Sequence, residues 1–154
     1  MKLSLIKVKH SEFASQETNC FEAVVCIDGK SVAIASNQGC GGPTDLNDIV
    51  RGSVAKIEAY AKSLPVEKCE WGNMPQTGES LVDDLLTEHL ILKDMKKSLK
   101  KITMLDGGQI YTFKNKPGVE NSLRYADIQK RYPKGVILNV LTEENALKLW
   151  KKYT

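Results

Sequence analysis

No apolar run in the 154 residues approaches the ~18 needed for a helix to cross a bilayer. The opening stretch Met1-Lys2-Leu3-Ser4-Leu5-Ile6-Lys7-Val8-Lys9 alternates with lysine and has neither an apolar core nor a small-residue cleavage site. A cytoplasmic location and no membrane partner are therefore expected. The four cysteines (Cys20, Cys26, Cys40, Cys69) include no C-x-x-C pair, which argues against a zinc knuckle and leaves thiols in a reducing compartment. Neither G-x-x-x-x-G-K-[ST] nor G-x-G-x-x-G occurs, so no named phosphate loop is present. Internal repeats and low-complexity tracts are missing too. The net charge of +3 falls short of a dedicated DNA-binding domain, and nucleic acid is not expected as a partner.

What remains is an ordinary globular composition, 42% hydrophobic and 27% charged. At this length a single domain over 1–154 is expected, burying roughly 68–70% of its unfolded surface. The class is α+β. Leu3 to Val8, Phe21 to Ile27 and Ser31 to Ser36 read as a three-stranded antiparallel meander, its second turn marked by Asp28-Gly29. Leu46, Ile49, Val50, Val54, Ile57 and Ala61 recur at helical spacing, predicting a helix from Thr44 or Asp45 to Leu64, before Pro65. Residues 65–79 lack periodicity and read as a surface loop pinned by Trp71. A second helix follows, with Ser80 as N-cap and Leu81, Val82, Leu85, Leu86, Leu90, Met95 and Leu99 as its apolar stripe; His89 beside Leu90 reads as a core or boundary residue. The C-terminal part reads as a hairpin through Asp106-Gly107-Gly108, a helix near Asn121 to Tyr132, a short strand from Val136 to Val140, and a closing helix capped by Thr142.

The segment Ser36-Asn37-Gln38-Gly39-Cys40-Gly41-Gly42-Pro43-Thr44-Asp45 stands out. Glycines between a strand and a helix can aim backbone N–H groups at an anion, because no Cβ blocks close approach. In a meander this segment shares one edge of the sheet with residues 10–19, so His10, Ser11 and Glu17 come near Asn37, Gln38, Gly39, Cys40, Gly41, Gly42 and Thr44. Polar residues on loops held by a rigid scaffold suit binding; a plain sheet-to-helix turn is the simpler alternative.

The strings Lys9-His10-Ser11-Glu12-Phe13-Ala14-Ser15-Gln16-Glu17-Thr18-Asn19-Cys20-Phe21-Glu22-Ala23, Asp28-Gly29-Lys30 and Ser36 to Pro43 resemble a family of small proteins from phages and other mobile elements. The likeness extends to Leu81-Val82-Asp83-Asp84-Leu85-Leu86 and Lys93-Asp94-Met95-Lys96-Lys97. It brings no established activity, but it implies an accessory role in infection, directed against host defence. Histidine commonly stands in that family where this chain has Cys40, which weakens a thiolate mechanism.

The chemistries then rank. Capture of a small anionic, phosphate- or nucleotide-like ligand at 10–19 and 36–45 comes first, without catalysis and without cofactor or metal. A hydrolase or transferase using Cys40, with His10 as base and Glu17 orienting it, is one alternative. Inhibition of a host protein through residues 65–78, with Trp71 and Met74, is another. Zinc on His10, Glu17, Cys40 and Asp45 lacks diagnostic spacing. Lys93, Lys96, Lys97, Lys100 and Lys101 read most simply as a solvated helix end.

Overall fold

The computed structural model describes residues 1–70 and 72–154; Trp71, and with it the proposed pinning and contact role of that side chain, lies outside the described residues. The architecture is α+β. Contacts group into two compact units, Met1–Glu88 and His89–Thr154.

In the first unit, β1 (Leu3–Ser11), β2 (Cys20–Ile27), β3 (Lys30–Gln38) and β4 (Asp45–Asp48) form an antiparallel sheet in that order. The turn between β2 and β3 is Asp28-Gly29, with φ of 48° and 81°, the positive pair that matches strand twist in a two-residue hairpin. Phe21, Ala23 and Val25 from β2 and Ala33 and Ala35 from β3 are buried. Strand β1 lies at an edge, and its register slips between Ile6 and Lys9, where Lys7 takes φ 51°.

The fourth strand corrects the expected helix start. Asp45–Asp48 pairs with Ala33–Ser36, and the amides of Ile49 and Val50 donate to the Val32 carbonyl, continuing toward the sheet. Helix α1 begins only at Ser53 and ends at Ser63. The Asp48 carboxylate accepts from Gly52 N and Val54 N at 2.7 Å each. Those bonds hold its pKa below the usual carboxylate value and place negative charge at the start of the helix. Ile49 and Val50, counted on the helical stripe, are half exposed; Ile57 and Ala61 are buried as the spacing predicts.

Residues 65–79 carry a small hairpin, β5 (Glu67–Cys69) and β6 (Gly72–Met74), where only loop is expected. Helix α2 (Gly78–Ser98) starts earlier than the Ser80 cap implies. Thr77 N donates to Ser80 Oγ and Ser80 N to Thr77 Oγ1, a reciprocal cap that makes Thr77 the cap residue. No helix among the described residues is long and apolar enough to cross a membrane.

The second unit takes the later half of α2. Strands β7 (Ile102–Asp106), β8 (Gln109–Phe113) and β9 (Val136–Ile137) form a sheet in the order β8-β7-β9. Helices α3 (Asn121–Arg131) and α4 (Glu143–Tyr153) complete it, and Asn145 N donates to the Thr142 cap. The strand predicted over Val136 to Val140 stops after Ile137 and tightens into a 3-10 turn, Leu138–Val140. Met95, Leu105, Leu138, Ala146 and Trp150 form one apolar cluster; Ile102, Met104, Ile128 and Ile137 form another. His89, expected as a core or boundary residue, is exposed.

Candidate functional site

The loop from Glu12 to Asn19 lies against the glycine segment. The Gly39 carbonyl accepts N–H bonds from Gln16 and Glu17 at 3.0 Å and from Thr18 at 3.4 Å. Gly39 has φ +83°, and a Cβ there would collide with the Ala14 carbonyl. Gly41 has φ +86°, and a Cβ there would collide with the Glu17 carboxylate. Both glycines permit close approach, but what approaches is the neighbouring loop. Their amides are also engaged: Gly39 N donates to Asn37 Oδ1 and Gly41 N to Thr18 Oγ1. The glycine segment is thus held from within at two of the positions expected to meet an anion.

Asn37, 9% exposed, organises the segment. Its Oδ1 accepts from Thr18 Oγ1 and Gly39 N, both at 2.8 Å. Its Nδ2 donates to the Gly42 carbonyl at 2.9 Å and to Thr44 Oγ1 at 3.3 Å. The Thr44 hydroxyl, accepting from Asn37, donates onward to Asp83 Oδ1 at 2.8 Å, while Thr44 N donates to Glu79 Oε1 at 2.8 Å. The bonds leaving Asn37 Nδ2 therefore run through Thr44 and finish on a carboxylate.

That end of the network replaces the helix N-terminus expected behind the glycines. Asp45 begins a strand, so α1 starts elsewhere, and the glycine segment meets the acidic first turns of α2. Glu79 and Asp83 are four residues apart and so share a helix face. Burial pushes the Asp83 carboxyl above its ordinary range; the Thr44 hydrogen bond opposes this, and Glu79 and Asp84 add to it. Thr18, Asn19, Phe21, Asn37, Gly42, Thr44, Glu79 and Asp83 line a cavity of about 180 Å³. No lysine or arginine is among those lining residues. A shallower trough of about 620 Å³ shares Phe21 and Asn37 with the cavity and runs along His10, Ser11, Cys20 and Gln38.

The remaining predicted residues are distributed around these spaces. His10 Nε2 lies 3.2 Å from Asn19 Oδ1 and 3.4 Å from Ser15 Oγ. Ser11 Oγ accepts from Ala14 N, and its carbonyl accepts from Ser15 Oγ. Both residues shape the first loop and border the trough. Cys40 is exposed, and its thiol donates to the Gln38 carbonyl at 3.8 Å. Glu17 is against Gly41 instead of orienting His10, so the Cys40–His10–Glu17 arrangement is not assembled. Among the described residues, no group of three or more His, Cys, Asp or Glu side chains could hold a metal ion.

The residues missed from the site are Phe21, Glu79 and Asp83; Thr18 and Asn19 belong to the 10–19 loop expected to border it. The two acids carry a readable signal: Asp83 sits on α2 directly beside Val82, which is fully buried, and is four residues from Glu79. No protein-family model, curated protein or solved structure matches this chain.

Proposed function

We propose that the chain is a non-enzymatic binding protein that captures a small, donor-rich cation, an amine or guanidine head group, in the cavity between the 36–45 segment and the start of α2. One observation carries this reading. Glu79 and Asp83 face a space with no basic side chain on its lining, and a third carboxylate, Glu17, lies against Gly41. A phosphate there meets like charge, whereas a cation finds carboxylate oxygens left over from the Thr44 bonds. The sign of the ligand is thus opposite to the one the glycines alone suggest. At about 180 Å³ the cavity is below the roughly 300–1,000 Å³ of drug-sized sites, so it takes a head group alone.

A host protein inserting an arginine or lysine is the second reading. Phe13, 99% exposed on the same loop, favours it, since exposed aromatics anchor interfaces. Following the resemblance to mobile-element proteins, either form of capture serves an accessory role against host defence in the cytoplasm. There Cys20, Cys26 and Cys40 remain thiols.

Thermal shift with agmatine, putrescine, spermidine, inorganic phosphate and AMP tests the reading. The guanidine or an amine is expected to raise Tm, phosphate and AMP to leave it unchanged, and Asp83→Asn to remove the shift. Stabilisation by phosphate or AMP alone restores the anion reading and overturns this one.

A further inference from the structure

The net charge of +3 conceals a division. Residues 1–88 hold 13 Asp+Glu against 8 Lys+Arg, a net of −5; residues 89–154 hold 6 against 14, a net of +8. Whole-chain charge underestimates the second unit, which by itself has the basic balance of a polyanion binder.

Its lysines are ordered. His89, Lys93, Lys96 and Lys100 follow at i, i+4, i+7 and i+11 along one stripe of α2 and its continuation. With Leu92 and Lys97 they line a groove of about 530 Å³. Lys97 and Lys100 also border a second groove of about 490 Å³ that reaches Lys101 and Thr112. Lys96 is paired with Glu143 at 3.0 Å. Lys93, Lys97, Lys100 and Lys101 have no ion-pair partner among the described residues. The helix dipole accounts for cations in the last turn, where Lys96 and Lys97 stand. It does not account for Lys93 a turn earlier or for Lys100 and Lys101 beyond the helix end.

We propose that this stripe binds the phosphate backbone of duplex nucleic acid without regard to sequence. Lysine is a mobile point charge suited to phosphate, and the stripe has no arginine for bidentate reading of bases. The aromatic side chain bordering the second groove, Trp150, is 5% exposed, so no stacking platform for single strands is offered. Insertion into a lipid surface needs an exposed apolar face, but Met95 of α2 is fully buried and Leu92 is packed against its cluster. The inference uses none of the cavity residues, so it stands or falls separately from the cation reading.

The test is fluorescence anisotropy of the full chain with two unrelated labelled duplexes of roughly 20 bp at about 50 mM salt. Both duplexes are expected to bind equally. K93Q/K97Q/K100Q is expected to weaken binding at least about 10-fold and to reduce the log–log salt slope by about 2–3, near 0.9 per lost phosphate contact. K30Q/K56Q/K62Q removes equal charge from the first unit and is expected to stay within about 2-fold of the parent. All six lysines are exposed, and circular dichroism checks that both variants keep the fold. Absence of binding by the parent, equal loss in both triple variants, or retention on phosphatidylserine vesicles in place of duplex overturns the proposal.

Discussion

Asn37 and Asn139 do comparable work in the two units but end differently. The Asn139 side chain bonds only to backbone: Oδ1 accepts from Thr103 N at 2.7 Å, and Nδ2 donates to the Leu99 and Lys101 carbonyls at 2.9 Å. It fastens the end of α2 to β7, and every partner belongs to the frame. Asn37 also reaches backbone through Gly39 and Gly42, and through Thr18 to Gly41, but its bond to Thr44 leads on to Asp83 beside a cavity. A closed network of this kind specifies a turn; one that ends on a half-buried carboxylate keeps acceptor capacity for something else.

The largest expected effects break the two networks. Asn139→Ala leaves one amide and two carbonyls without their partner and should cost about 2–4 kcal/mol, read by urea unfolding at constant slope. Asn37→Ala should cost as much, about 2–4 kcal/mol, because four bonds in equally or more buried surroundings are lost; unlike Asn139→Ala, it should also abolish the thermal shift given by amines. Equal loss of ligand response in both variants would erase the functional distinction between the two asparagines.

A matched threonine pair sharpens the contrast at about 1 kcal/mol each. Thr103→Val loses a bond to the Ser98 carbonyl, so its effect should not vary with pH. Thr44→Val loses the donor that favours ionised Asp83. Its destabilisation should therefore be greater near neutrality than in acid, as followed by Tm across pH.

The smallest effects are slopes. Asp83 has a raised pKa, so the folded state holds its proton more tightly, and this group's contribution to stability falls as pH rises through that range. Asp83→Asn should remove that decline, gaining on the parent as pH goes from about 3 toward 7. Asp48 has the opposite sign: its pKa is lowered, and its stabilisation is lost as pH falls. Asp48→Asn should flatten that acid loss. Parallel slopes for the two variants would refute the assigned environments.

Much of this was legible in the chain because local signals agreed with the fold. Asp28-Gly29 announces its turn, Thr142 caps its helix, and Pro65 directly follows Leu64, the C-cap of the first one. The fourth strand was not legible: Leu46, Ile49 and Val50 fit a helix as well as they fit a sheet extension, and nothing local reveals that Asp48 turns to cap residues 52 and 54. The glycine segment was visible, but its chemical surroundings were not. Glu79 and Asp83 are 35 and 39 residues beyond Thr44, and a contact at that separation sets the sign of the cavity. Whole-chain composition hid the opposite charges of the two units, because the boundary after Glu88 falls inside a continuous helix.

The irregularity at Lys7 has a consequence for how the protein behaves at high concentration. An uninterrupted nine-residue edge would offer a row of unpaired amides and carbonyls to a second molecule. The twisted, charged residue in the middle interrupts that row and breaks its regular spacing. Replacing Lys7 with valine removes the charge from this edge and should raise its tendency to pair with a second copy, read as light scattering at high concentration.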